Sequence, residues 1–315
     1  MDAQTKIVTT TNVDGLALIV SMVVNALDSE HSQRAYGAAL DDFLPWLAAS
    51  PYTLSKPAVT AYLVSRAGVH KVNGVDHAAV PASVRNLRLT AIKKLAREAA
   101  DNDLIPDAVA FAISKIKGVK IGGRKLGNWL TKPQAEAMLR APNQSTAKGC
   151  RDRALLAVLL GAGLRRAEVA GLTVGQLQQR EGRWVIVDVR GKGNKTRTVA
   201  VASWVAADIA RWLRVAGVAD GHIFRAMRRG DHVAGAGLSE QAVFDVVCEY
   251  AAQIGVEVKP HDLRRSFAGL ARKGGATVEQ IQVSLGHASI ATTERYLEPM
   301  ASVVVAAADF LGLNV

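Results

Sequence analysis

Two stretches near the C-terminal end decide how this chain is read: Pro260-His261-Asp262-Leu263-Arg264-Arg265-Ser266, and Leu285-Gly286-His287-Ala288-Ser289 followed by Thr292, Thr293 and Tyr296. His261 and Arg264 are three apart, so on a helix they leave from one face and can grip one anion together. Pro260 suits a helix start, where the backbone dipole favours negative charge. Gly286 suits a helix end, and His287 then opens a turn into the helix that carries Tyr296. Alone, a tyrosine among apolar residues is more often packing than nucleophile.

Upstream lie two further motifs. Gly163-Leu164-Arg165-Arg166-Ala167-Glu168 follows the apolar run Arg151–Leu160 and its stop at Gly161-Ala162-Gly163. Arg165 there enters the next helix from its N-terminal end, where guanidinium and free N–H groups can converge on an anion, with Glu168 one turn on to hold it. The duller alternative is a surface ion pair. Gly191-Lys192-Gly193-Asn194-Lys195 sits between the β-branched stretch Trp184–Val189 and the alternating stretch Thr196–Ala202, which predicts a hairpin. Lys192 at its tip is either a solvated turn residue or a mobile cation able to protonate a leaving oxygen.

The rest of the chain frames these motifs. The 315 residues carry 39 Lys and Arg against 28 Asp and Glu, a formal charge of +11, which ranks a polyanionic partner first and a membrane surface second. The apolar run Leu16–Leu27 is too short to span a bilayer and lacks the flanks of a secretory signal, so it reads as a first core helix. Cys150 and Cys248 form no metal spacing and are expected to be buried, inert thiols of a reducing cytoplasm.

Residues 1–13 read as a polar tail and 14–113 as a helical domain. Its faces are marked by Tyr36, Leu40, Phe43 and Leu47, then Val59, Tyr62 and Leu63 after Ser55 and Pro57, then Val84, Leu87, Ala91 and Leu95. Arg85, Lys93, Lys94 and Arg97 fall broadly opposite that last face, as a solvated face or a DNA surface. Residues 114–129 read as a basic linker with Lys117, Lys120, Arg124 and Lys125, suited to lie along phosphates. The remainder, 130–315, opens at an N-cap, Thr131. It is mainly α with a small antiparallel β-sheet, and helical from Ser203 onward.

In their order the four motifs resemble the tyrosine recombinase, or phage integrase, family. That family is marked by Gly-Leu-Arg-x-x-Glu, a Gly-Lys-Gly hairpin lysine, His-x-Leu-Arg, Leu-Gly-His and a tyrosine nine residues on. The resemblance covers about residues 130–300 and implies Arg165, Lys192, His261, Arg264, His287 and Tyr296 as catalytic residues. Residues 14–113 resemble the family's core-binding domain in pattern only. Arg265 stands where many relatives have His.

The resemblance implies a site-specific recombinase that cuts and rejoins duplex DNA through a 3′-phosphotyrosyl link, without metal, cofactor or ATP. Tyr296 would attack and Arg165 and Arg264 would hold the non-bridging oxygens. His287 would hydrogen-bond the same oxygens, His261 would orient the phosphate and assist proton removal from the phenol, and both histidines would add positive charge. Lys192 would protonate the leaving oxygen. Lys195 and Arg197 are further candidate DNA contacts. The apolar tail beyond a break at Pro299, through Val303–Ala306 to Phe310 and Leu311, would dock on a neighbouring subunit in a tetramer on two duplexes. A cytoplasmic, nucleoid-associated enzyme recognising core sites only, with no arm-binding domain, is the expectation. A type IB topoisomerase-like enzyme and a catalytically silent DNA-binding accessory protein are the alternatives.

Overall fold

A computed structural model of the chain describes residues 13–72, 75–120, 128–191 and 195–304. Its contacts divide the chain into two units, Met1–Arg124 and Lys125–Val315.

Apolar residues at helical spacing build the first unit. Helix α1 (Val13–Asn25) buries Leu16, Ile19 and Val23, and α2 (Glu30–Ala49), capped by Ser29, buries Leu40, Phe43 and Leu47. The Ser55 hydroxyl accepts from the Ala58 N–H to start α3 (Lys56–Ser65), with Pro57 in its first turn. Helices α4 (Ala82–Asp101) and α5 (Asp107–Ser114) complete the bundle. Asp42 of α2 ties three helices: it accepts from the Tyr62 hydroxyl at 2.5 Å, Arg66 Nε at 3.0 Å and Arg88 Nη1 at 2.6 Å.

Two expectations for this unit fail. A short antiparallel hairpin, β1 (His70–Val72) with β2 (Val75–His77), interrupts the helices. The core face of α4 runs through Leu89, Ile92, Leu95 and Ala99, leaving Val84 40% and Leu87 37% exposed; the first turn of the helix extends past the core.

In the second unit the Thr131–Gln134 capping box starts α6 (Lys132–Arg140). Helix α7 (Ala147–Ala162) follows, and every residue from Ala154 to Leu160 is buried. The two Asp231 carboxylate oxygens accept from the Ala147 and Lys148 N–H groups, adding a second cap to that of Thr146. Next come the one-turn α8 (Arg166–Ala170), then β3 (Leu177–Arg180), β4 (Arg183–Arg190) and β5 (Thr196–Ala200), a three-stranded antiparallel sheet in that order. The β4–β5 pairing holds in Ile186↔Val199 and Val189↔Arg197 but shifts between them, where Asp188 takes φ 53°. This bulge re-aims the hairpin end.

Helix α9 (Ser203–Ala216) packs so closely on α7 that a Cβ at Gly161 would lie 2.5 Å from Val205 Cγ2. The short hairpin β6 (Ala226–Arg228) with β7 (His232–Ala234) departs from the all-helical reading after Ser203, as β3 departs from the two-stranded hairpin. Strands of three or four residues carry too little alternation to announce themselves. Helices α10 (Glu240–Gln253), α11 (Pro260–Lys273), α12 (Val278–Leu285) and α13 (Ile290–Val304) follow, and α13 runs on through Pro299 rather than breaking there. The tail after Val304 lies outside the described residues.

Beneath them the core gathers Leu155, Leu159, Ile209, Trp212, Phe224 and Val247. Fully buried Asp152 of α7 accepts from Arg151, Lys148 and the Tyr250 hydroxyl, joining α7 to α10. A separate cluster of Ala268, Ile281, Leu285 and Leu297 binds α11, α12 and α13 into one platform. Cys150 is buried as expected, whereas Cys248 is only half-buried. Among the described residues, no helix is long and apolar enough to cross a membrane.

Candidate active site

The helix ends of the second unit point several functional side chains into one place. Gly163 terminates α7 in the left-handed conformation, φ 61°, and a Cβ there would lie 2.4 Å from the Phe267 ring, so only glycine fits. Two residues on, Arg165 is the N-cap of α8. Its Nη1 donates to Glu168 Oε1 at 2.7 Å, and its backbone N–H donates to Glu168 Oε2 at 2.8 Å. Burial alone would raise the Glu168 pKa, but hydrogen bonds from Arg197 and Arg165 outweigh it and hold the carboxylate down at about 2.

Arg264 is 1% exposed on α11. Its Nη1 donates to the Gly163 carbonyl at 2.6 Å and its Nη2 to the Leu285 carbonyl, so one guanidinium satisfies the ends of both α7 and α12. Burial, then the Arg165 charge, pull its pKa down to about 10, which leaves it fully cationic at neutrality.

His261 opens α11, and the Tyr296 hydroxyl lies 3.5 Å from its Nε2 and 3.4 Å from its carbonyl. Gly286, φ 65°, ends α12, and His287 follows with Nδ1 3.0 Å from the Thr293 hydroxyl. Both imidazoles meet the Tyr296 ring edge-on, His261 at 5.7 Å and His287 at 5.5 Å between centroids. The Arg265 guanidinium lies over the same ring at 5.6 Å.

The protonation states differ from the expectation that the histidines add positive charge. Desolvation and the cations Arg265 and Arg264 push His261 below its ordinary range. His287 is pushed down to about 4 by burial, then by Arg264, Arg165 and Arg197. Burial first, and the crowded cations second, thus disfavour the protonated form of both rings. With Nδ1 engaged by Thr293, a neutral His287 can carry its proton on Nε2 and donate it to a ligand. Burial pushes the Tyr296 phenol up, against the lowering influence of Arg264 and Arg265.

A cavity of about 640 Å³ opens beside these groups, lined by Arg165, Gly191, Lys195, Arg197, Gly286, His287 and Thr292 among others. Five of the six expected catalytic residues thus gather in one unit. The sixth, Lys192, lies outside the described residues, although the Gly191 N–H donates to the Lys195 carbonyl at 2.8 Å at the base of its turn.

The expected DNA contacts divide. Lys94, Arg97, Lys117, Lys120 and Lys195 are exposed, Arg97 beside Asp101 at 3.8 Å. Lys93 is spent on the Ile116 carbonyl, Arg85 is half-buried, and Arg124 and Lys125 lie outside the described residues. Arg197 is drawn into the protein by Glu168 instead of facing solvent. Arg265 and Thr293 lie within the quoted motifs but carry no role there: Arg265 shares the His261 face of α11 at i+4, a spacing that points it at the same site. Among the described residues no three His, Cys, Asp or Glu side chains gather to hold a metal ion.

Two arginines, two histidines and a phenol are thus gathered on a helical platform beside a small sheet. Residues 128–302 match the phage integrase family. Tyrosine recombinase XerC of Myxococcus xanthus is 31% identical over 282 residues, covering 86% of this chain and 87% of that one. Tyrosine recombinase XerD of Pseudomonas aeruginosa is 34% identical over 182 residues, covering 55% of this chain and 58% of that one, so the chain spans little more than half the length of such XerD relatives.

Among solved structures, the fold matches the XerH site-specific recombinase bound to palindromic difH substrate, with TM-score 0.66, 19% identity and coverage of 93% and 85%. It also matches the Tn1549 transposon integrase in complex with circular intermediate DNA, with TM-score 0.63, 17% identity and coverage of 91% and 95%. The chain belongs to the phage integrase family, among tyrosine recombinases of Xer-like type.

Proposed function

We propose that this protein cuts and rejoins duplex DNA at specific sites, with Tyr296 as the nucleophile. The observation that carries the reading is the approach of the Tyr296 hydroxyl to His261, with the His287 ring edge-on to the same phenol, on the platform anchored by Arg264. Arg165 and Arg264 hold the non-bridging oxygens and stabilise the charge that grows on phosphorus. His261, neutral and within reach of the phenol, takes its proton as the P–O bond forms. His287 donates from Nε2 to the same oxygens.

The bond to the 5′-oxygen breaks, and Lys192 supplies the proton that makes it a hydroxyl, leaving the 3′-phosphate on Tyr296. Because one phosphodiester replaces another, reversal by a second 5′-hydroxyl rejoins the strand with no outside energy source. Fixed cations do here what metal ions do in other phosphoryl-transfer sites.

The partner is duplex DNA carrying core sites, engaged by both units, in a homo-tetramer on two duplexes with exchange of the tail after Val304. The net charge of +11 favours such a polyanion and a place on the nucleoid in the cytoplasm.

The test begins with a duplex selected from a random pool by the Tyr296→Phe protein. A supercoiled plasmid carrying two copies of that site should yield recombined circles with the wild-type protein. Relaxation without exchange would favour the topoisomerase-like reading, and binding without any strand cleavage the silent accessory protein.

A further inference from the structure

Arg197 is a cation that the chemistry above leaves without a task. It stands on β5 with only 11% of its side chain exposed. Its guanidinium forks onto one carboxylate, Nη1 to Glu168 Oε1 and Nη2 to Glu168 Oε2, each at 2.9 Å. Its Nε donates in another direction, to the Ser284 carbonyl at 3.0 Å. Glu168 is the residue that holds Arg165. Ser284 precedes Leu285, whose carbonyl Arg264 holds, and Gly286 precedes His287. The stem of Arg197 packs on that turn as well: a Cβ at Gly286 would lie 2.7 Å from Arg197 Cδ.

One side chain on the strand that follows Lys192 in sequence therefore touches the support of one phosphate-binding arginine and the turn that presents His287. Three of its five donors are already used within the protein, in a planar fork that lysine's single ammonium cannot reproduce.

We propose that Arg197 is a positioning residue: it braces Glu168 against the end of α12, keeping Arg165 and the His287 turn in register around the scissile phosphate, and it makes no DNA contact of its own. This inference rests on the recombinase reading for the identity of the phosphate. A phosphate contact and a brace have opposite signatures. Removing a contact weakens DNA binding and reduces the salt slope of log K by about one. Removing a brace slows the chemical step on bound DNA and leaves the slope alone.

The experiment uses the full chain and the duplex selected by the Tyr296→Phe protein, intact for binding and nicked beside the scissile phosphate to trap the covalent product. Arg197→Ala and Arg197→Lys should bind the intact duplex within about threefold of wild type with the same salt slope. At saturating nicked duplex both should form adduct slower by about 100-fold, the scale of a lost oxyanion donor. Arg197→Lys keeps the charge beside Glu168, so it serves if Arg197→Ala does not fold. In combination with Glu168→Gln, Arg197→Lys should add less than about threefold, because both act through one support.

A drop in affinity with a shallower salt slope and an unchanged rate at saturation would overturn the inference. So would wild-type rates in Arg197→Lys, or fully multiplicative losses in the double variant. The salt slope needs no cleavage. A wild-type protein that binds yet forms no adduct would therefore sink the activity reading, while the slope still decides whether Arg197 touches DNA.

Discussion

Replacing Glu168 with Gln removes the only carboxylate that both Arg165 and Arg197 use among the described contacts. The Glu168 side chain is 4% exposed, and its pKa is held at about 2 against an ordinary 4.5. A gap of about 2.5 pH units at about 1.4 kcal/mol each corresponds to about 3 kcal/mol of folding stability. The sign follows from the direction: a depressed carboxylate stabilises the fold above its unfolded pKa, and the contribution fades as pH falls toward the folded value. The cost to Glu168→Gln should therefore be about 3 kcal/mol from pH 7 to pH 5, about half that near pH 3, and nearly gone at pH 2.

Urea unfolding of the full chain measures it, followed by tryptophan fluorescence. Four of the five tryptophans, Trp129, Trp184, Trp204 and Trp212, belong to the second unit, so the signal reports chiefly the unit that holds Glu168. A cost below about 1 kcal/mol at pH 7, or one that stays constant down to pH 3, would refute the claim that an ionised Glu168 locks the two arginines.

The His287 ring, followed by NMR in the free protein, should titrate near 4. The unfolded chain then binds the proton first, so stability falls as pH drops from about 6.5 to 4, and His287→Gln removes that part of the loss; a midpoint at 6.5 would contradict the cation crowding. Gly286→Ala should destabilise by about 1–2 kcal/mol more than Gly255→Ala. Both positions have positive φ, but a Cβ at Gly255 meets nothing within 4 Å whereas one at Gly286 meets Arg197; equal costs in thermal unfolding would show that Arg197 does not pack there. Tyr62→Phe, which withdraws a hydrogen bond from Asp42, should cost about 1–3 kcal/mol in chemical denaturation, and a neutral result would mean the Asp42 network is already satisfied by Arg66 and Arg88.

Much of the site was legible because its residues sit at helix ends, which sequence marks well. Thr131 and Ser55 cap their helices, Pro260 opens α11 in its first turn and Gly286 closes α12, and the spacing of His261 and Arg264 puts them on one helix. What stayed hidden depends on partners distant in sequence. Arg197 and Lys195 look alike as basic residues beside a turn, and only Glu168, 29 positions upstream, separates them into a braced cation and a solvated one. The neutral histidines could not be inferred without knowing that Arg264, Arg165 and Arg197 surround His287. The faces of α4 were misjudged at Val84 and Leu87 because periodicity gives a direction but not the point where the core ends.

The proposed reaction requires that the phenol of Tyr296 become joined to DNA. The decisive measurement is mass spectrometry of the adduct trapped on the nicked duplex, after digestion of both protein and DNA. The expected result is a single modified peptide bearing a 3′-nucleotide on Tyr296, and no adduct from Tyr296→Phe protein that still binds the duplex. A nucleotide on any other residue, a 5′ linkage, or continued strand cleavage by Tyr296→Phe would contradict it.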